Sequence, residues 1–167
     1  MDILLEAAKE NTFGNNVLKQ VLDKYDYLDA RKKAFVKKLA MGCLERQIQL
    51  DYVIDLYAKP KTAQMKPVIK AILELGAYQI LFMDQVYDTL ACNTCVTLAR
   101  KKGFSSLSGF VNGILRRICR EKEAIAWPSF EKDVLQYFHV CYSKPEWLVK
   151  LLMEQYGTET TEEILDG

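Results

Sequence analysis

A single histidine, His139, stands in the 167 residues, and that scarcity removes most nucleophilic hydrolysis. A Ser/His/Asp or Cys/His arrangement would rest on this one residue, and no motif surrounds it, so His139 reads as structural. Glycine is scattered rather than clustered: the eight glycines stand singly at 14, 42, 76, 103, 109, 113, 157 and 167. A phosphate- or nucleotide-binding turn needs them together, because only glycine lets backbone amides approach a ligand closely. No cofactor site is therefore expected in this chain. No apolar run approaches the ~20 residues that span a bilayer. The opening Met1-Asp-Ile-Leu-Leu-Glu6 lacks the basic flank and cleavage site of a secretory leader, which places the chain in the cytoplasm without a membrane partner. The five cysteines are an odd number in a chain too large to need disulfide staples, which points to reduced thiols.

What is present suits one folded domain with a short appendage: 50% of residues are hydrophobic and 27% charged. The net charge of +1 conceals an asymmetry. Residues 1–125 hold 20 Lys and Arg against 14 Asp and Glu, a balance of +6, whereas residues 126–167 hold 3 against 8, a balance of −5. A basic body points weakly toward polyanions such as nucleic acid, since solvated lysines alone also produce it.

Helical spacing runs through almost every segment and no convincing period-2 run occurs, which predicts an all-α fold. A first helix is expected over Ile3–Lys9, broken by Gly14-Asn15-Asn16, and a second from Val17 to about Tyr25. Asp29 is a plausible N-cap for a third, with Phe35, Val36, Leu39 and Cys43 on one face. A turn near Arg46–Gln49 precedes a fourth helix from Leu50 to about Tyr57. Pro67 sits in the first turn of a strongly apolar helix, Val68–Met83, the expected centre of the core. Asp88 is read as the cap of the next helix, which ends in Arg100-Lys101-Lys102 and stops at Gly103. Ser108 starts the helix Phe110–Lys122, and Trp127-Pro128 marks a boundary. Beyond it, Ser143-Lys-Pro-Glu146 reads as a capping box, before a helix with Trp147, Leu148, Leu151 and Leu152 on a common side.

Two motifs bear on chemistry. Cys92-Asn-Thr-Cys95 has the spacing of half a zinc knuckle, but Cys119, Cys141 and His139 supply no second half, so core packing is the favoured reading. In Phe110-Val-Asn-Gly-Ile-Leu-Arg-Arg-Ile-Cys-Arg120, Phe110, Val111, Ile114, Leu115 and Ile118 cover one broad helix face. Asn112, Arg116 and Arg120 form an i, i+4, i+8 row on the other. Arginine forks match phosphate oxygens and an amide can reach a base edge or sugar, so the row suits RNA. A solvated polar face is the alternative, as is a brace in which Asn112 and an arginine satisfy groups on neighbouring helices.

Phe110-Val-Asn-Gly-Ile-Leu-Arg-Arg-Ile118, following a helix that ends Leu-Ala-Arg-Lys-Lys-Gly103, resembles the signature of the NusB-like fold. Ala34-Phe35 with Leu39, Gly42 and Leu44, Glu45-Arg46 leading to Leu50-Asp51, Glu74-Leu75 and Tyr78-Gln79-Ile80 match as well, in order, over residues 3–122. Tyr142-Ser-Lys-Pro-Glu-Trp-Leu-Val149 and Glu154-Gln-Tyr-Gly157 are similar to the segment that joins such a domain to the catalytic core in the Sun (RsmB) family of bacterial 16S ribosomal RNA cytosine-C5 methyltransferases. The resemblance implies a NusB-like bundle of about seven helices over residues 1–125, binding RNA, and a linker with a first helix over 126–167 leading to a methyltransferase domain outside this sequence. It implies ribosomal RNA and that C-terminal domain as partners, with S-adenosylmethionine bound only in the missing domain. The chain itself would be non-catalytic and its parent an enzyme.

Asn112, Arg116, Arg120, Lys101, Lys102 and Arg46 are the expected RNA contacts. Three departures from the family pattern stand out: an arginine-bearing turn before the first helix is missing, Thr94 stands where an acid is usual, and Tyr87 replaces a usual loop proline. Two other functions remain open, a free NusB-type antitermination factor that binds RNA with a ribosomal protein, and a helical module for protein partners.

Overall fold

The computed structural model describes residues 29–167, and among them seven α-helices form and no strand. The helices expected over Ile3–Lys9 and Val17–Tyr25, with the glycine break between them, lie outside the described residues. Helix α1 (Ala30–Glu45) starts as its cap foretells: an Asp29 carboxylate oxygen accepts the Lys32 N–H at 2.8 Å. Helix α2 (Gln47–Tyr57) begins three residues before the expected Leu50. The break is one residue wide, because Arg46 donates its N–H to the Gly42 carbonyl (3.0 Å) while its own carbonyl accepts from Leu50 (2.8 Å). The hydrogen-bond ladder therefore crosses the corner almost intact.

Helix α3 (Pro67–Phe82) carries Pro67 where the missing amide costs nothing. Every residue from Ala71 to Ile80 is buried, so α3 must be enclosed around its whole circumference. Helices α1, α2, α4 (Asp88–Lys101) and α5 (Ser108–Glu121) enclose it. Close approach depends on two glycines. A Cβ at Gly42 would stand 2.1 Å from the Tyr78 ring, and one at Gly76 would stand 2.7 Å from a Leu115 methyl. At either site a methyl group would have to move a packed side chain.

Asp88 does not cap α4. Tyr87 occupies the N-cap position without a side-chain bond, and Asp88 is the first helical residue, its carboxylate accepting from Lys122 at 2.9 Å. The stop signals at the other end hold, with Gly103 in the left-handed region at φ 86°. Helix α6 (Val134–Cys141), capped by Asp133, is a short element that the sequence reading passed over. The capping box at Ser143 does not form. Ser143 has φ 54°, its hydroxyl accepts from the Gln49 N–H at 3.4 Å, and Pro145 is the N-cap of α7 (Glu146–Asp166). A serine engaged with α2 cannot also cap α7. On α7 Val149 is fully buried and Leu148 and Leu152 are half-buried, whereas Trp147 and Leu151, grouped with Leu148 and Leu152 on a common side by the sequence, are exposed. Gly157 breaks α7 with φ 79°. The α6–α7 pair docks on α2 through Ser143, and the loop before it stacks Trp127 on Tyr52 with centroids 5.9 Å apart.

One polar pair lies inside the bundle. Glu74 of α3 is 2% exposed, and one oxygen each of Glu74 and Asp51 has no hydrogen-bond partner except through the other carboxyl. Gln47 donates to Glu74 at 3.4 Å and Lys70 pairs with Asp51 at 3.4 Å. Burial, then the Asp51 charge, pushes the Glu74 carboxyl well above the ordinary glutamate range, and burial raises Asp51 as well. A protonated Glu74 donating to Asp51 leaves one negative charge opposite Lys70.

Because the folded state holds this proton more tightly than the unfolded chain, the pair's contribution is complete below the ordinary glutamate range and is lost as pH rises through the raised value. Glu74→Gln supplies a permanent donor in the same shape. Its melting temperature should therefore fall less than that of the wild type between about pH 5 and pH 8. Equal slopes for the two proteins in a calorimetric pH series would show that no proton is held there.

Candidate nucleic-acid interface

Helices α4 and α5 run antiparallel, joined by the short turn Ser105–Leu107, and their register is set by three contacts. Asp88 meets Lys122 at 2.9 Å, the Cys92 and Cys119 sulfurs lie 3.6 Å apart, and Arg116 donates to Asn93 Oδ1 at 2.9 Å. The apolar side of α5, with Val111, Ile114, Leu115 and Ile118 buried, faces α3 and fixes which residues turn outward.

The row of Asn112, Arg116 and Arg120 exists but is not uniformly outward. Asn112 and Arg116 are half-buried and Arg120 is exposed. Arg116 leans over the seam, its Nε donating to Asn112 Oδ1 at 3.2 Å and a terminal nitrogen to Asn93. This is the brace recognised as an alternative from the sequence, made with a side chain of α4 rather than with backbone. The guanidinium retains further N–H groups at the edge of the seam. Among the described residues no hydrogen bond or ion pair holds Arg120. Gly109 and Gly113 lie on the same exposed ridge, with open space where a Cβ would be.

Lys101 and Lys102 are exposed at the far end of the seam, beside the start of α5. Arg46 stands apart, at the α1–α2 corner. Its guanidinium lies 4.5 Å from the centre of the Phe82 ring and donates to Gln49 at 3.1 Å, so the structure ties it to the end of α3. Arg117, adjacent to Arg116, turns the other way, over the Tyr57 ring at 4.9 Å and onto Glu121 at 2.9 Å. Asn93 is the participant that sequence reasoning missed. Its position inside the CxxC was the available signal, but spacing along one helix does not reveal its partner on another.

The CxxC itself belongs to the core. Cys92 and Cys95 are buried, and the Cys95 thiol, pushed up to about 12 by burial, donates to the Ile72 carbonyl. Neutral thiols facing backbone and another thiol are poor metal ligands, and among the described residues no group of three or more ligating side chains converges. His139 binds the Lys144 carbonyl through Nδ1 at 2.6 Å, a local structural role. Among the described residues no strand leads into a glycine-rich turn.

If the brace forms in solution, Arg116→Ala and Asn93→Ala should each destabilise by about 0.5–1.5 kcal/mol. The double variant should cost less than their sum, whereas Arg120→Ala should stay within about 0.5 kcal/mol of wild type. Urea unfolding of the wild type and the four variants checks this, and strictly additive costs would show that the two side chains do not interact.

Comparison with known proteins agrees with the geometry. Residues 1–120 match the NusB family. Over 98% of its length the chain is 31% identical to the "Probable ribosomal RNA small subunit methyltransferase B" of Bacillus subtilis, and it covers 36% of that protein. The protein of the same description from Synechocystis is 30% identical, again with 36% of its length covered. The transcription antitermination protein NusB of Elusimicrobium minutum is 31% identical over 74% of this chain and 89% of its own. The chain thus spans about a third of the methyltransferase relatives but most of this antitermination relative. A helical bundle closed around α3, carrying the Phe110–Ile118 signature on α5 and matched by the family pattern over residues 1–120, makes this chain a member of the NusB family.

Proposed function

We propose that this chain is the RNA-docking domain of a ribosomal RNA cytosine-C5 methyltransferase, and that the α4–α5 seam is the surface that holds the RNA. The observation that carries the reading is Arg116, fixed by Asn112 and Asn93 with donors to spare, one turn from the unheld Arg120. A guanidinium whose position is already fixed loses less entropy on meeting a phosphate than a mobile one. Lys101 and Lys102 extend the positive charge toward the other end of the seam, and the basic balance of residues 1–125 favours the same ligand. Arg46, bound to Phe82 and Gln49, belongs to a separate patch and has a lesser part.

Catalysis and S-adenosylmethionine binding belong, in this reading, to a following domain of the kind the methyltransferase relatives have room for. Residues 126–167 connect to it, with the exposed Trp147 and Leu151 of α7 lying against it. With ribosomal RNA as its ligand, the protein works, in this reading, in the cytoplasm. A free antitermination factor acting with a ribosomal protein is the second reading, favoured by the match to most of an antitermination protein. A reading frame that continues past Gly167 into a glycine-rich loop and a Pro-Cys motif supports the methyltransferase; a stop codon there supports the factor.

The seam itself is tested by salt. Each phosphate contact releases counterions, so losing one flattens the slope of log K against log salt by roughly 0.7–0.9. Replacing Arg116 and Arg120 together should weaken binding to a ribosomal RNA hairpin and reduce that slope by roughly 1.4–1.8. Replacing Arg117 should leave both nearly unchanged. An unaltered slope in the double variant would remove the seam from RNA binding.

A further inference from the structure

We propose that the Tyr87 ring, with Leu90 beside it, is a stacking platform for an unpaired nucleobase of the RNA whose phosphates Arg116 and Arg120 hold. This inference rests on the RNA reading above and narrows the ligand from RNA in general to RNA with an accessible, unstacked base.

Tyr87 is 82% exposed and Leu90, three residues on, is 56% exposed. Neither does structural work at its position: Tyr87 sits at the N-cap of α4 without a capping bond, and among the described residues no other ring or hydrogen-bonding group engages its side chain. Leaving a ring and a leucine together in water costs hydrophobic free energy that a ligand recovers by covering them. The nature of the ligand follows from the neighbours. The antiparallel register brings the N-terminus of α4 to the C-terminal half of α5, since Cys92 touches Cys119 and Asp88 pairs with Lys122. In that register Arg120 stands opposite residues 90–91 of α4, so Tyr87 lies three to four residues, about 5 Å, beyond it along the axis. That offset is on the order of the rise of one to two nucleotides. Asp88, the acid next to the ring, is neutralised by Lys122, whose ammonium it holds above the ordinary lysine range. An anionic backbone can therefore run along the seam and present a base to the ring.

Aromatic rings beside arginines suit unstacked bases, because every base has a face to stack while a duplex keeps its bases covered.

The test compares the full chain with Tyr87→Ala and Tyr87→Phe, using a single-stranded oligouridine of about twelve nucleotides and an RNA duplex of the same length. Tyr87→Ala should weaken oligouridine binding by roughly 5- to 150-fold, the equivalent of one lost stacking contact, and leave duplex affinity, salt slope and melting temperature unchanged. Tyr87→Phe, which keeps the ring, should bind as wild type does. Equal losses for both RNAs, or no loss for either, would overturn the stacking platform while leaving the arginine seam standing. Failure of the RNA reading itself has a different signature, in which the wild type binds neither RNA or Arg120→Ala weakens neither, and the platform falls with it.

Discussion

Helix α3 is buried on all sides, and the rest of the molecule is arranged to make that possible. Ten consecutive residues without access to water require neighbours around the full circumference of the helix, and α1, α2, α4 and α5 provide them. The spacing of those neighbours is set where α3 meets Gly42 through Tyr78 and where Gly76 meets Leu115. A fully buried helix that carries a carboxylic acid must also satisfy it, and Glu74 does so by sharing with Asp51, Gln47 and Lys70 rather than by reaching water. Close packing and a neutralised polar pair together leave α4 and α5 little freedom to shift.

The surface proposed to receive RNA is a consequence of that enclosure. Since the apolar face of α5 is committed to α3, Arg116 and Arg120 have only the seam and the open ridge available. The two adjacent arginines are sorted by this geometry: Arg116 falls toward Asn93 on α4, and Arg117 toward Tyr57 on α2. One helix therefore uses neighbouring guanidiniums as braces on opposite sides, while Arg120, a turn further on, remains available. In the proposed reading, stability and recognition are partly joined in Arg116, which holds the seam and has donors to spare at its edge.

Much of the architecture was legible in the chain because its signals are local. Asp29 as a cap, Pro67 in a first turn and Gly103 after a run of cations each act within a turn of their own position, and each is found as read. The misreadings involve partners distant in sequence. Ser143 has the pattern of a capping box, but an α2 amide 94 residues away claims its hydroxyl. Asp88 looks like a cap until Lys122 draws it away. On α7 the spacing identified an apolar side, but not that the bundle covers Val149 fully and leaves Trp147 and Leu151 exposed. The burial of Glu74 drew no expectation from the sequence, because only its position on an enclosed helix puts it inside. Of the site, the arginine row was visible as a spacing, whereas Asn93 could be found only once two helices were set side by side.

Seen this way, the domain is a rigid frame that presents one edge, with Lys101 and Lys102 at one end, Arg116 in the middle and Arg120 at the other. The most direct test of that claim is a backbone amide NMR titration of the chain with a ribosomal RNA hairpin, carried out at low salt. Shifts concentrated in residues 87–102 and 109–120, with those of α6 and α7 unmoved, are expected if the α4–α5 edge receives the RNA. Shifts confined to α6, α7 or the Arg46 corner, with the α4–α5 edge silent, would contradict it.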